Sequence, residues 1–458
     1  MDVRAPARVD ARWLLAGILG LALAVRFAGI GSRLSIDDAY SWWVSSAPSA
    51  SVFLHRLAAS ENTPPLIYLL LMLMPGTSPA WLRVPAAIPG ALICWVVYVS
   101  LRDRLGRPVA FVTSLAVAVS PYLITYSNLA RGFMLADLAL LCALWAVLSL
   151  RERETGWKWV ALFAASAVAV WTEYASAIFL IALFAMALWS GTPRRRPLLA
   201  CGVLALLALA PWIPEIVRGQ HQVGVTKLGP QNSSPSPAAL RDMVVQLVFG
   251  ENGGTSSAAG RWVLVALLLA VIVGAGWLLR RAAVEHDERW RQTIVLLAGT
   301  ALLTVIGHAL AAPLGVDVFT PRYLTVEIAL LAALGVAALA ELPWKPMLTV
   351  AAACLLALGV GNFAKRLGGE WQPNLAPVRA AAIRLHPRTV LTDTPVVLYY
   401  LAGLHPIMDR PANLGRGDTA SCARPCLAVD DTRIDIGTPR VIAGTPFYIE
   451  PFELTLER

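Results

Sequence analysis

Two adjacent carboxylates, Asp37 and Asp38, are the side chains of this 458-residue sequence whose type and spacing most directly suggest chemistry. They stand in Ser35-Ile-Asp-Asp-Ala-Tyr40, immediately after a long apolar run. A carboxylate can take the proton of a reacting hydroxyl, so the pair is a candidate for general-base chemistry. A solvated loop start would also explain two acids, and the interpretation therefore depends on which other polar groups lie on the same side of the molecule.

Cationic and aromatic side chains recur near the ends of later apolar runs. Arg83 opens one run, Arg131 follows another, and Arg322 stands in Thr320-Pro-Arg-Tyr-Leu324 before a third. A guanidinium can hold a phosphate with two hydrogen bonds, although an arginine at a helix end is also a common interfacial anchor. Five further polar or aromatic side chains, in these segments or near the end of another apolar run, are candidates for substrate contacts: Tyr40, His55, Tyr68, Glu173 and Tyr323.

The composition shows which kind of element must position these residues. Hydrophobic residues make up 57% of the chain and charged residues 15%, against about 45–50% and about 25% in ordinary soluble domains. The apolar residues fall in runs near the length that spans a bilayer, which predicts an all-α polytopic membrane protein rather than a β-barrel. The net charge of +9 comes from arginines in short loops, so it indicates topology rather than nucleic-acid binding.

The apolar runs predict eleven transmembrane helices. Arg4, Arg8 and Arg12 precede the first run, which places the N-terminus inside, and the absence of a small-residue cleavage site argues against a signal peptide. Every arginine cluster in a short loop then also falls inside. The predicted spans are residues 13–30, 81–101, 109–126, 132–150, 158–172, 175–190, 198–213, 261–279, 293–312, 323–341 and 346–363.

One apolar run, residues 64–74, is too short to span and begins with two prolines, so we expect a helix at the outer leaflet. Residues 31–80 and 214–260 are then outer loops of a transmembrane module, residues 1–363. Residues 364–458 form an extracytoplasmic C-terminal domain. This topology brings the candidate residues named above to the outer side of the membrane.

The C-terminal domain has the pattern of a small α/β unit. Short strands are predicted at residues 389–392, 426–429 and 441–443, and a helix at residues 396–403. Cys422 and Cys426 lie in this polar part of the chain, where a disulfide is expected if the domain is outside the membrane. The segment offers too few further ligands for a metal.

Four motifs, taken in this order and on one side of the membrane, resemble those of the lipid-phosphate-dependent glycosyltransferases of the GT-C fold. The likeness is greatest to protein O-mannosyltransferases and the lipid A aminoarabinose transferase, and it covers about residues 13–345. The motifs are Asp37-Asp38, Thr63-Pro-Pro-Leu-Ile-Tyr68, Tyr126-Ser-Asn-Leu-Ala-Arg131 and Thr320-Pro-Arg-Tyr-Leu324, and the segment Trp81-Leu-Arg-Val-Pro85 accompanies them on the same side.

The resemblance implies transfer of a sugar, with inversion, from a polyprenyl-phosphate donor to an acceptor hydroxyl outside the cytoplasmic membrane. Asp37 takes the position of the family's catalytic base and Asp38 that of its companion acid. Arg322 is the first candidate for the donor phosphate, with Arg131 and Arg83 after it. Burial at the membrane surface is expected to raise the pKa of Asp37 and make it a better base.

The donor and acceptor are less defined. Mannose is the favoured sugar, with arabinofuranose and glucose as open alternatives, and the acceptor is a glycan, a glycolipid or a protein. Glu173 stands at a corner where relatives often carry a His-Tyr or Lys-Tyr pair. Its partner is therefore open: either the acceptor sugar or an arginine. Asp137 is either a functional acid or a structural partner of Arg131.

Two other functions remain possible on the sequence alone. A transporter or flippase for lipid-linked sugars would also place polar groups at an outer cavity, and a non-catalytic glycan-binding protein would need no base. The absence of internal repeats argues against the transporter, and the acid pair argues against the binding protein. No cofactor and no metal are expected, because two acids are too few ligands for a metal cage.

Overall fold

A computed structural model describes residues 11–60, 63–191, 194–215, 288–312, 318–342, 346–368 and 376–385, with shorter pieces between 243 and 281 and in the C-terminal part. The first half is almost continuously helical. Its helices are α1 Ala11–Phe27, α2 Ile36–Ser45, α3 Ala50–Ser60, α4 Leu66–Met72, α5 Pro79–Leu101, α6 Arg107–Val119, α7 Pro121–Ser127, α8 Phe133–Glu152, α9 Gly156–Thr172, α10 Ser176–Trp189 and α11 Arg195–Leu207. The described later helices are α12 Glu288–Ala311, α13 Glu327–Ala340, α14 Met347–Gly368, α15 Ala376–Leu385 and α16 Pro395–Tyr400.

Several of these helices have the length and composition of membrane spans. Among the described residues, four helical segments qualify alone: Pro79–Leu101, Phe133–Glu152, Arg195–Glu215 and Glu288–Ala311. The bent pair α6–α7 makes a fifth if it is one span. The prediction of a helical membrane protein is confirmed, whereas the count of eleven spans stays a prediction, since most of residues 261–279 lies outside the described part.

The predicted span 109–126 is not one straight helix. It breaks at Ser120-Pro121 into α6 and α7, which meet at 56°. Pro121 has no N–H and its ring clashes with the carbonyl four residues earlier, which disfavours a straight helix at this point. The freed carbonyls of Val117 and Ala118 accept hydrogen bonds from the fully buried Arg26 at 3.3 and 2.9 Å. This arginine of α1 therefore stabilises the break.

The segment between α1 and α5 folds as three short helices that pack on the ends of the long ones. Their shared apolar core includes Leu34, Leu57, Ile67 and Leu82. Helix α4 has seven residues and is far shorter than a span, as the sequence predicts. Tyr68 of α4 is fully buried, so this helix is fixed against the bundle and its position supports the site described below.

The C-terminal part contains a mixed sheet, which agrees with the predicted α/β pattern, although only the strands at 389–392 and 426–431 correspond to predicted ones. Its described strands are β1 Thr389–Thr392, β2 Pro406–Met408, β3 Cys426–Asp431, β4 Phe447–Ile449 and β5 Phe452–Glu457, in the order β2-β1-β3-β5-β4. β1 is parallel to β2 and β3, and β5 is antiparallel to β3 and β4. The predicted strand 441–443 and the side chains of Cys422 and Cys426 lie outside the described part, so the disulfide stays a prediction.

Candidate active site

Asp38 is a buried structural acid. Its side chain is fully buried and closes a capping box with Ser35 at the start of α2. Oδ2 accepts hydrogen bonds from the Ser35 N–H at 2.9 Å and from Arg83 Nη2 at 2.7 Å, and Oδ1 accepts from the Ala130 N–H at 2.6 Å. The carboxylate thus joins α2, α5 and the turn after α7, and its oxygens are occupied by these bonds.

Arg83, a sequence candidate for the phosphate, is occupied in the same way. Besides Asp38, its guanidinium donates to the carbonyls of Ile30, Ser32 and Arg33 at 2.6 to 2.9 Å. Nε also reaches Asp38, so each of the three nitrogens already has a protein acceptor. The residue is 1% exposed. This geometry argues against the prediction that Arg83 holds a phosphate, because its N–H donors already bind Asp38 and the backbone carbonyls before α2.

Asp37 is placed quite differently from its neighbour. Its side chain is 47% exposed, and Oδ1 accepts a hydrogen bond of 2.6 Å from Arg131 Nη2. Nη1 of the same arginine donates to the Tyr68 hydroxyl at 3.1 Å. The structure therefore brings together three residues that the sequence singled out from separate segments: Asp37, Tyr68 and Arg131. Asp37 is the accessible member of the acid pair.

Arg322 contributes a second positive charge near Asp37. It lies in a single 3₁₀ turn, Pro321–Leu324, with its guanidinium 5.1 Å from the centre of the Tyr323 ring. Burial raises the pKa of Asp37, but Arg131 and Arg322 together outweigh burial and hold that pKa below its ordinary value. The expectation that burial makes Asp37 a stronger base is therefore wrong for the ligand-free protein, because two cations sit beside the carboxylate.

A cleft lies beside Arg322, between α8, the corner joining α9 to α10, and the turn at 321–325. It is narrow and has room for about one water molecule. Its polar and aromatic lining includes Phe133, Asp137, Glu173, Arg322, Tyr323 and Thr325. Glu173 and Tyr323 thus line one cavity, and the Phe133 and Tyr323 rings lie 5.9 Å apart at its wall.

Asp137 belongs to this cleft rather than to the ion pair with Arg131 that the sequence left open. It is 5% exposed and interacts electrostatically with Glu173. Two other candidates are less central: Tyr40 is buried in α2, and His55 is exposed on α3. The sequence could not show whether Asp137 has a functional or a structural role, because the residues that surround it in the fold come from distant segments.

Two tyrosines of the C-terminal part contact the segment that carries Asp37. Tyr400 of α16 accepts a hydrogen bond of 3.0 Å from the N–H of Leu34, beside the cap of α2. Tyr399 packs edge-on against Trp42 of α2, with ring centres 5.1 Å apart, and its hydroxyl donates to the carbonyl of Thr77 at 3.2 Å. The paired tyrosines therefore support α2 from the side of the C-terminal domain.

The acids of the site do not converge on a common point for a cation. Asp37 is held by Arg131 and Asp38 by Arg83, so the two carboxylates share no partner. Within the part of the chain that the structure describes, no three His, Cys, Asp or Glu side chains are grouped so as to hold a metal ion. The residues present therefore do not fit a resident metal at the acid pair.

Comparison with known proteins supports the resemblance. Residues 62–214 match the family model described as dolichyl-phosphate-mannose-protein mannosyltransferase. This match covers a third of the chain and includes Tyr68, Arg83, Arg131, Asp137 and Glu173. A sequence comparison with curated proteins finds no match.

Solved structures extend the likeness to the whole chain. ArnT from Cupriavidus metallidurans bound to undecaprenyl phosphate is 16% identical, with a TM-score of 0.62 over 98% of each chain. An oligosaccharyltransferase from Archaeoglobus fulgidus, tethered to an acceptor peptide, is 12% identical, with a TM-score of 0.54 over 90% of this chain and 65% of that chain. At these identities the likeness shows the fold, and the GT-C fold expected from the motifs is confirmed.

Proposed function

We propose that this protein is an inverting glycosyltransferase that moves a sugar, with mannose favoured, from a polyprenyl phosphate to an acceptor hydroxyl. The observation that carries the proposal is the accessible Asp37, which contacts Arg131 and also interacts electrostatically with Arg322. A base and two phosphate-binding cations are the groups that such a transfer needs. The GT-C fold, the family match and the undecaprenyl phosphate bound to ArnT agree with it.

In this proposal Asp37 acts on the acceptor while the two arginines act on the donor. Asp37 takes the proton of the acceptor hydroxyl, whose oxygen forms the new bond to the anomeric carbon. The bond from that carbon to the phosphate oxygen breaks at the same time, and polyprenyl phosphate leaves with the electron pair. Arg322 and Arg131 stabilise the charge that develops on the phosphate.

Donor binding would also raise the pKa of Asp37 and so make it a stronger base. In the free protein Arg131 donates to Asp37 and to Tyr68, and it holds the Asp37 pKa low. A phosphate that takes hydrogen bonds from Arg131 competes with Asp37 for the same donor. The carboxylate then loses part of its stabilisation, its pKa rises, and it becomes a stronger base at the step where a base is needed.

The proposed location follows from the arginine pattern. Residues 1–363 form the transmembrane module of a cytoplasmic-membrane protein with its N-terminus inside, and residues 364–458 form a domain outside. The site then opens to the outer side, where a glycan, glycolipid or protein acceptor is available. Contacts of Tyr399 and Tyr400 with the segment around α2 agree with a C-terminal domain on the same side as Asp37.

The experiment is release of polyprenyl phosphate by the purified full-length protein in lipid. We would offer polyprenyl-phosphate mannose, glucose and arabinose with a membrane extract as acceptor, and compare wild type with Asp37→Asn. Release that depends on one donor sugar and is lost in the variant supports the proposal. Equal release by both proteins would remove Asp37 from the mechanism.

A flippase for lipid-linked sugars is the second candidate function, since it would also bind the donor at an outer cleft. It leaves the sugar–phosphate bond intact, so movement of the labelled donor across vesicles without release would favour it. A glycan-binding protein would show neither release nor movement. The half-exposed Asp37, in contact with a cation, is the feature that favours transfer over both.

A further inference from the structure

Three arginines from separate segments lie near one another at the end of the bundle opposite to Asp37. Arg131, which contacts Asp37, stands just before α8, and Arg151 lies in the last turn of the same helix. Helix α8 has 20 residues, so its ends are about 30 Å apart, which is also the thickness of the hydrocarbon core. In the topology proposed above, the end that carries Arg151 faces the cytoplasm.

Arg151 is the centre of this group, and its protein surroundings do not satisfy its guanidinium. Nη2 donates to Ser190 Oγ at 2.5 Å, but Nη1 reaches the carbonyl of Gln292 only at 3.5 Å, the limit of a hydrogen bond. Nε is buried and has no hydrogen-bond partner among the described residues. The nitrogen Nη1 therefore keeps donor capacity for an acceptor from outside the chain.

Two further arginines add like charges to this place. Arg104 follows α5, is buried, and interacts electrostatically with both Arg151 and Arg289. Arg289 is exposed in the first turn of α12, one turn before Gln292, whose carbonyl faces Arg151. Repulsion between partly buried like charges is screened less than repulsion at an open surface, so this arrangement favours a bound anion.

The acids near these arginines are already paired, and none of those in the described segments is paired with Arg151. The pairs are Glu152 with Arg104 at 2.8 Å, Asp103 with Arg102 at 3.2 Å and Glu288 with Arg291 at 2.5 Å. A partly buried cation that lacks a counter-ion is costly. The missing negative charge must therefore come from outside this part of the chain.

The surroundings indicate a lipid headgroup rather than a soluble anion. Trp189, directly before Ser190, is largely exposed, and so is Trp157 at the start of α9. Exposed tryptophans are typical of the level of the lipid headgroups, and the exposed Ile181 of α10 continues an apolar surface towards the lipid tails. Guanidinium groups bind phosphate through paired hydrogen bonds, and basic pockets between membrane helices bind anionic headgroups on the cytoplasmic side.

We propose that Arg104, Arg151 and Arg289 form a binding site for the phosphate headgroup of an anionic lipid. The phosphate accepts a hydrogen bond from Nη1 of Arg151, supplies its counter-ion and reduces the repulsion among the three guanidinium groups. Bound there, the lipid joins the ends of α8, α10 and α12 and stabilises the bundle at the surface away from Asp37. This site does not depend on the transferase function.

Lipid binding by the purified full-length protein tests the site. We would incubate the protein with equal amounts of phosphatidylglycerol and phosphatidylcholine of one chain length and measure the bound lipids by native mass spectrometry. Wild type should retain the anionic lipid in preference to the zwitterionic one. Arg151→Gln should reduce that preference by at least about 5-fold, the effect expected for the loss of one cation near an anionic headgroup.

The matched control is Arg153→Gln, which removes the same charge from an exposed arginine two residues away. It should leave the preference nearly unchanged, because Arg153 is not part of the group. Arg289→Gln is a second test variant, and its exposed position makes misfolding less of a concern. It should also weaken the preference, so the test does not depend on the folding of Arg151→Gln alone.

Three results would overturn the proposal. Equal retention of both lipids by wild type would leave the arginines as signals of topology only. An equal loss of preference in Arg151→Gln and Arg153→Gln would show diffuse attraction rather than a site. The third concerns the source of the anion: phosphatidylglycerol should raise the apparent Tm of wild type more than that of Arg151→Gln, whereas inorganic phosphate at matched ionic strength should not. An Arg151-dependent rise with inorganic phosphate alone would show a site for a soluble anion and contradict the lipid.

Discussion

Replacement of Asp38 by Asn should destabilise the protein far more than the same change at Asp37. Asp38 is fully buried and accepts hydrogen bonds from Ser35, Arg83 and Ala130. An amide in its place keeps one acceptor oxygen but turns its NH₂ group towards the donors on the other side, and it leaves the guanidinium of Arg83 buried without its counter-ion. Breaking a buried ion pair from one side costs about 3–5 kcal/mol.

Asp37 makes a weaker contribution to stability. Its side chain is 47% exposed and its contact with Arg131 is a partly solvated ion pair. Exposed pairs contribute about 0.2–1 kcal/mol. For a chain of this length, we expect Asp38→Asn to lower the apparent Tm by roughly 3–5 °C, while Asp37→Asn lowers it by roughly 1 °C or less.

The assay is thermal unfolding of purified protein in one detergent, followed by tryptophan fluorescence without donor. Arg83→Met removes the other member of the buried pair and should resemble Asp38→Asn. The reasoning is refuted if Asp38→Asn unfolds within 2 °C of wild type, or if Asp37→Asn is the less stable of the two adjacent variants.

Three further predictions follow from contacts around the site. Arg131→Gln removes the cation that lowers the pKa of Asp37, so the acid limb of kcat/KM should move to higher pH, and an unmoved limb contradicts the assignment of the base. Gly132→Ala places a Cβ 2.6 Å from Thr172 Cγ2, so an apparent Tm loss corresponding to about 1–3 kcal/mol is expected in the same unfolding assay. Tyr400→Phe removes the acceptor at the cap of α2 and should lower kcat with little change in donor affinity, whereas unchanged kcat would show that this hydrogen bond does not position Asp37.

The sequence predicted the class of fold because apolar length and arginine position depend only on local composition. It also predicted α4 as a helix too short to span and the small α/β domain. It did not predict the break between α6 and α7, because the compensating Arg26 comes from a helix about 90 residues earlier. A proline in an apolar run signals a kink, but only the structure shows which group satisfies the freed carbonyls.

The candidate site was predicted in part. Asp37, Tyr68 and Arg131 come together as the motifs suggest. The resemblance assigned the base to Asp37 and the companion role to Asp38, but the sequence could not show their opposite environments, because these arise from tertiary contacts with Arg83 and Arg131. For the same reason, burial alone gave the wrong direction for the pKa of Asp37, since the cations that lower it come from other segments.

The central claim is that Asp37 is the base for sugar transfer from a polyprenyl-phosphate donor. The most direct test is single-turnover transfer from the preferred donor by wild type, Asp37→Asn and the control Asp103→Asn, with donor affinity measured on the same preparations. The account predicts that Asp37→Asn loses about 10²- to 10⁴-fold in rate while it binds donor at least as tightly as wild type, and that Asp103→Asn retains the wild-type rate. Transfer by Asp37→Asn within a few-fold of the wild-type rate would contradict the account.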